Sequence, residues 1–163
     1  FLYDRRPLKS SIFLKFHFFI KALNHPTFPA NNLNHGSYRN YTDDWEVDSH
    51  TFDFNYRFTL ANTNYIEPRI RLYQQSKASF YQNQFYVDNV AGLDPTTLFP
   101  EYISADYRLD DMTSITPGIR YGTEVGRDGH LRARLEYMMQ SFDHSEFDTN
   151  NAIIFQIAYS KRF

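Results

Sequence analysis

Thr51-Phe52-Asp53-Phe54-Asn55-Tyr56-Arg57-Phe58-Thr59-Leu60 alternates without a break: even positions are apolar or aromatic, odd positions polar. Successive side chains of a β-strand point to opposite faces, so this stretch builds one apolar face and one charged face. Wound as a helix, the two sets would mix around the circumference. The same period runs along the chain. Over residues 12–23, Ile12, Leu14, Phe16, Phe18, Ile20 and Ala22 oppose Lys15, His17 and Lys21. Over 65–75, Ile66, Pro68, Ile70 and Leu72 oppose Glu67, Arg69, Arg71 and Tyr73; over 101–109, Ile103, Ala105, Tyr107 and Leu109 oppose Ser104, Asp106 and Arg108. Residues 113–121, 131–139 and 152–163 continue the pattern, with Arg120, Arg132, Arg134 and Glu136 on the polar side. The stretch 36–47 alternates less cleanly, but Tyr38, Tyr41 and Trp45 favour a strand. Between these runs lie polar or Gly- and Pro-containing breaks, including Ala61-Asn62-Thr63-Asn64, Asp110-Asp111 as a two-residue hairpin, Gly126-Arg127-Asp128-Gly129 and the stretch 143–151.

The 163 residues carry 18% aromatics, from 16 Phe, 13 Tyr and one Trp, yet the mean hydropathy is -0.59. No stretch approaches the ~20 apolar residues of a spanning helix. Disorder is excluded by the wealth of rings, and a net charge of -2 leaves no electrostatic footprint for nucleic acid. The absence of Cys removes disulfides, thiolate metal sites and thiol nucleophiles. One domain over residues 1–163 is expected, with no linker and no low-complexity run. The opening Phe1-Leu2-Tyr3-Asp4-Arg5-Arg6-Pro7 reads as a strand end entering a turn, as in a segment preceded by further chain.

Alternation alone fits a soluble lipocalin-like barrel or a sandwich as well as a membrane barrel. Two features turn the expectation towards an antiparallel transmembrane β-barrel of the bacterial outer membrane. Tyr41, Trp45, Tyr65, Tyr81, Tyr102, Tyr121 and Phe142 sit at strand ends, where aromatic girdles belong. The chain also ends with Phe155, Ile157, Tyr159 and Phe163 in register, which resembles the terminal strand read by barrel-assembly machinery, although Lys161 interrupts the series. Eight or nine strands are expected, as part of a larger barrel, because a ninth strand near 78–84 makes the count odd and single-chain bacterial barrels are even. Glu67, Arg69, Arg71, Asp106, Arg108, Arg120, Arg132, Arg134 and Glu136 would then form a charged ladder facing the lumen.

The run Ser37-Tyr38-Arg39-Asn40-Tyr41-Thr42-Asp43-Asp44-Trp45 with Ser49-His50-Thr51 resembles a signature of bacterial proteins of unknown function. Asp4-Arg5-Arg6-Pro7, Arg71-Leu72-Tyr73-Gln74-Gln75 with Phe80-Tyr81, and Ser104-Ala105-Asp106-Tyr107-Arg108-Leu109 fit the same family. The resemblance implies the C-terminal part of an outer-membrane β-barrel, in a family often encoded near flavin-transferring maturation enzymes. It assigns no catalytic residues. Glu46-Val47 depart from the family's Gly-Ile after Trp45, which implies a differently shaped hairpin.

The function expected on these grounds is a channel, or a scaffold for an envelope redox or secretion complex. Its partners would be outer-membrane lipid, barrel-assembly machinery and other envelope subunits, without nucleic acid or cofactor. Two alternatives stand beside it: a soluble ligand-binding barrel, and an outer-membrane enzyme with carboxylates and His at the rim, built from Asp43, Asp44 and His50. Catalysis is not the expected reading, because adjacent strand residues point to opposite faces and Asp110-Asp111 reads as a turn. The six His, at 17, 25, 35, 50, 130 and 144, show no metal-ligand spacing, and Asn40-Tyr41-Thr42 matches a glycosylation sequon by accident.

Overall fold

The alternating runs become strands, each paired with its sequence neighbour. The computed structural model describes residues 10–16, 33–60, 63–84 and 103–162. They form β1 (Ser10–Phe16), β2 (Leu33–Thr42), β3 (Asp48–Thr59), β4 (Tyr65–Gln75), β5 (Met112–Val125), β6 (Gly129–Phe142) and β7 (Thr149–Lys161). All seven lie in one antiparallel sheet in the order β1 to β7. Register keeps like with like across the strands. Phe52 stands opposite Leu72 and Leu72 opposite Ile115, while Asp53 stands opposite Arg71 and Glu67 opposite Arg120. A slip of one residue would put the charges among the rings, so the alternation itself sets the pairing.

The two faces have different fates. The apolar face is open: Phe52, Phe54, Ile70, Leu72, Ile119, Leu135, Ile153, Phe155 and Ile157 are all exposed, Ile153 at 74%. On the other face Glu67 and Glu136 are buried under guanidinium groups. Apolar burial is concentrated where the connections fold over one end of the sheet. There Ala78, Tyr81 and Phe142 are buried, and the rings of Tyr107, Phe142 and Phe147 meet edge to face at 5.1–5.5 Å.

The expectation of a transmembrane barrel is corrected: the fold is all-β, but the sheet is open, with β1 and β7 as its two edges. Among the described residues, seven strands in up-and-down order run β1 and β7 in the same direction. Closing them on each other would need a parallel seam in an otherwise antiparallel ladder, which even-stranded barrels avoid. An open sheet encloses no lumen, so the channel or barrel scaffold falls with the closure, and so do the porin-like reading and the resemblance's implied barrel. Alternation reports faces; it is silent on curvature.

Two of the expected strands are also absent. Residues 78–84 form a turn with a single bridge, Tyr81 to Ser104, and 103–109 end in one turn of 3-10 helix, Tyr107–Leu109. Asp106 explains the second case. Its carboxylate accepts from the backbone N–H of Arg108 at 3.0 Å and pairs with the Arg108 side chain, a local bond that competes with a ladder. Asp110-Asp111 therefore closes a long connection and is no hairpin. At the β2–β3 turn Glu46 adopts φ 63, a left-handed conformation that Gly takes at less cost. Residues 17–23, and the strand expected there, lie outside the described residues, as does Phe163.

One glycine decides how the charged face assembles. Gly118 on β5 stands between Arg69 of β4 and Glu136 of β6, and the Arg69–Glu136 bridge at 2.9 Å passes over it. A Cβ at position 118 would lie 2.6 Å from Cγ of Glu136. Gly118→Ala is therefore expected to cost about 1–3 kcal/mol by overpacking. Urea denaturation of Gly118→Ala, Glu136→Ala and the double variant checks this: the Gly118→Ala penalty should shrink once Glu136 is truncated, leaving the part due to the 3.1 Å approach to the Leu135 carbonyl.

Candidate functional site

Two constellations emerge, one in the middle of the polar face and one at the loop end. In the first, three carboxylates each serve two guanidinium groups. Asp53 takes Arg69 and Arg71 (the latter at 2.9 Å), Glu67 takes Arg57 at 2.8 Å and Arg120 at 2.6 Å, and Glu136 takes Arg69 at 2.9 Å and Arg134 at 3.6 Å. Burial by itself would raise the Asp53 carboxyl, but the hydrogen bonds and charges of Arg69 and Arg71 outweigh it and hold Asp53 below its ordinary value. Arg69 is raised in turn, chiefly by its hydrogen bond to Asp53.

Of the expected ladder, Glu67, Arg69, Arg71, Arg120, Arg134 and Glu136 meet here. Arg132 stands on the same face, exposed, opposite Gly122. Asp106 and Arg108 do not join; they pair with each other on the exposed connection. Asp53 and Arg57 were not expected in the ladder. Their signal lay in the opening alternation, where both occupy odd positions. Phe155, Ile157 and Tyr159 lie on the open apolar face of the edge strand β7.

The loop-end constellation is built around Asp110, which is fully buried. Gln75, the last residue of β4, donates Nε2 to the carbonyls of Arg108 and Asp110 at 2.8 and 2.9 Å, drawing the connection onto the sheet. The N–H of Ala78 donates to the Leu109 carbonyl at 2.8 Å. The Asp110 carboxylate accepts from the N–H of Asp111 and of His144, each at 2.8 Å, and lies 3.0 Å from His144 Nδ1. Asp111 stands 3.5 Å from the same nitrogen and accepts from the N–H of Lys77 at 3.0 Å. Beside them the Tyr81 hydroxyl is buried, and burial, followed by the charge of Asp110 and a hydrogen-bonding approach to it, pushes its phenol above the ordinary value. A cleft of about 430 Å³ opens here between Lys77, Tyr81, Gln82, Asn83, Gln84 and His144.

Ligand atoms of Asp110, Asp111 and His144 lie within 4.8 Å of one another, close enough to hold a metal ion. The donors argue for a proton at that point instead. Both Asp110 oxygens already accept backbone N–H groups, and a nitrogen between two carboxylates is placed as an N–H donor. The alternative rim set is not assembled. Asp43 is spent on its own turn, accepting from the Tyr41 hydroxyl and from the N–H of Trp45 and Val47. His50 is bonded through Nδ1 to Tyr38 at 2.7 Å, away from that turn. No spacing rule could have found His144, which lies 34 residues from its partner Asp110.

Fold and constellations together define an open, all-β meander sheet with an ion-paired face and a carboxylate–histidine cluster under its end connections. The chain belongs to the family described as "Protein of unknown function (DUF3570)", whose model matches residues 1–154. No curated protein and no solved structure matches it. Because the sheet is open, the expected membership of an outer-membrane barrel family is corrected to this family of unknown function.

The lowered Asp53 pKa has a pH consequence. Its contribution to stability is complete above the unfolded carboxyl value, about pH 4, and is lost as pH falls through the lower folded value. Denaturation midpoints of the wild type and Asp53→Asn should therefore differ by a constant amount near neutrality and converge below about pH 4. A gap that persists unchanged into strong acid contradicts this.

Proposed function

We propose that the chain is an acid–base enzyme of hydrolytic type, with His144 as the general base. The observation that supports this is the seat of its imidazole: Nδ1 is 3.0 Å from the carboxylate of fully buried Asp110, which leaves Nε2 as the nitrogen free of that pair. A buried carboxylate in this position fixes the tautomer and ring orientation and stabilises the imidazolium that forms on proton uptake. Nε2 takes a proton from a water molecule in the cleft as its oxygen attacks an ester carbonyl held there; the tetrahedral intermediate then collapses, the C–O bond to the alcohol breaks, and the imidazolium returns its proton to the leaving alkoxide. Tyr81, kept protonated by its raised pKa, offers a hydroxyl to the oxyanion, with the Lys77 charge on the same cleft wall.

The test is hydrolysis of a panel of p-nitrophenyl esters by the purified chain. His144→Ala is expected to reduce the rate by about 10²–10⁴-fold, Asp110→Asn should also impair it, and EDTA treatment should leave it unchanged. Equal rates for the wild type and His144→Ala, after subtraction of the buffer rate, reject the proposal.

Location at the bacterial outer membrane is also proposed, with lipid against the open apolar face. Its support is the row Ile153, Phe155, Ile157 and Tyr159 on β7, each more than half exposed. In cell fractionation the protein should sediment with outer membranes and be released by detergent but not by salt. Recovery in the aqueous fraction counts against it.

A further inference from the structure

The charged face does not balance. Five guanidinium groups, of Arg57, Arg69, Arg71, Arg120 and Arg134, share three carboxylates, and among the described residues of this network two positive charges are left over. The surplus is localised. Arg120 of β5 stands directly opposite Arg134 of β6, a placement that puts Cβ atoms about 4.5–5.5 Å apart and is unfavourable for like charges. Arg120 leans away to Glu67, but Arg134 keeps only a 3.6 Å contact to Glu136 on its own strand. Its Nε is buried with no acceptor among the described residues. An orphaned charged donor beside a second guanidinium is costly unless an acceptor arrives from outside the chain.

The space for that acceptor exists. Asp53, Arg69, Arg71, Arg120, Arg134 and Glu136 border a cleft of about 510 Å³, into which Ser37 and Asn55 also open. We infer that this cleft binds a phosphorylated small molecule, with its phosphoryl group between Arg134, Arg120 and the half-exposed Arg71. A phosphoryl dianion matches the two surplus charges. Its tetrahedral oxygens accept from two guanidinium forks at once, and Arg–phosphate bonds are among the strongest charge-assisted pairs. A dicarboxylate would spread the same charge over two separated ends and satisfy the Arg120–Arg134 pair less well. The cleft falls within the ~300–1,000 Å³ range of small-molecule sites, which leaves room for the group esterified to the phosphate; Ser37 and Asn55 offer it polar contacts. This site stands in the middle of the polar face and is independent of the His144 cluster.

Calorimetric titration of the full chain with inorganic phosphate and with glycerol phosphate, at constant ionic strength set by chloride, tests the inference. Saturable one-to-one binding is expected, tighter for the phosphomonoester. Arg134→Gln should weaken it about tenfold or more. Arg71→Gln, a change on a half-exposed side chain that leaves Arg69 on Asp53, should weaken it several-fold and guards against a folding defect at Arg134. Arg132→Gln, on the same face but outside the cleft, should bind as the wild type does. No saturable binding of either compound, or unchanged binding by both Arg134→Gln and Arg71→Gln, overturns the site. Inorganic phosphate binding as tightly as glycerol phosphate overturns the assignment to a phosphomonoester.

Discussion

The sharing of three carboxylates among five guanidinium groups is the constraint on which this structure turns. Asp53, Glu67 and Glu136 come from three different strands, and the guanidinium groups they hold tie β3 to β4, β4 to β5 and β4 to β6. The last of these links skips a strand, and it can do so only because Gly118 offers no side chain between Arg69 and Glu136. Buried carboxylates of this kind are unfavourable unless every one is paired, so the face is held as a unit and not as separate bridges. A second glycine works alike: Tyr65 lays its ring over Gly122 and stacks on His130 at 6.0 Å, while Arg57 covers the ring at 4.0 Å.

At the loop end the same economy of buried charge appears in another form. Asp110 is fully buried yet has its oxygens occupied by backbone N–H groups and by His144, so its charge is met without a guanidinium. Gln75 and the Tyr107–Phe142–Phe147 rings fix the connections around it. The cluster is therefore both a clasp between two connections and a seat for an oriented imidazole.

Much of the secondary structure was legible from residues alone. Runs such as 65–75 and 131–139 have pure alternation, and a strand is the only regular element that separates those side chains onto two faces. The failures have a physical origin as well. Residues 103–109 alternate too, but Asp106 bonds its own backbone two residues on and turns the chain. Asp110-Asp111 has the composition of a tight turn, and nothing local reveals that its first member is buried against residues from a distant connection. Closure is hidden for a similar reason: a row such as Phe155, Ile157 and Tyr159 reads the same in an edge strand of an open sheet as in a closing strand.

The all-β character, most strand positions, antiparallel pairing of neighbours and the separation of rings from charges can be read from the residues, because these follow from a period of two and from short connections. The open sheet, the exact register, the pairing of each Arg with its carboxylate and the meeting of His144 with Asp110 come from the folded chain alone. Those depend on strand count and direction, on the gap at Gly118 and on loops that converge in space. Local alternation carries no information about any of these.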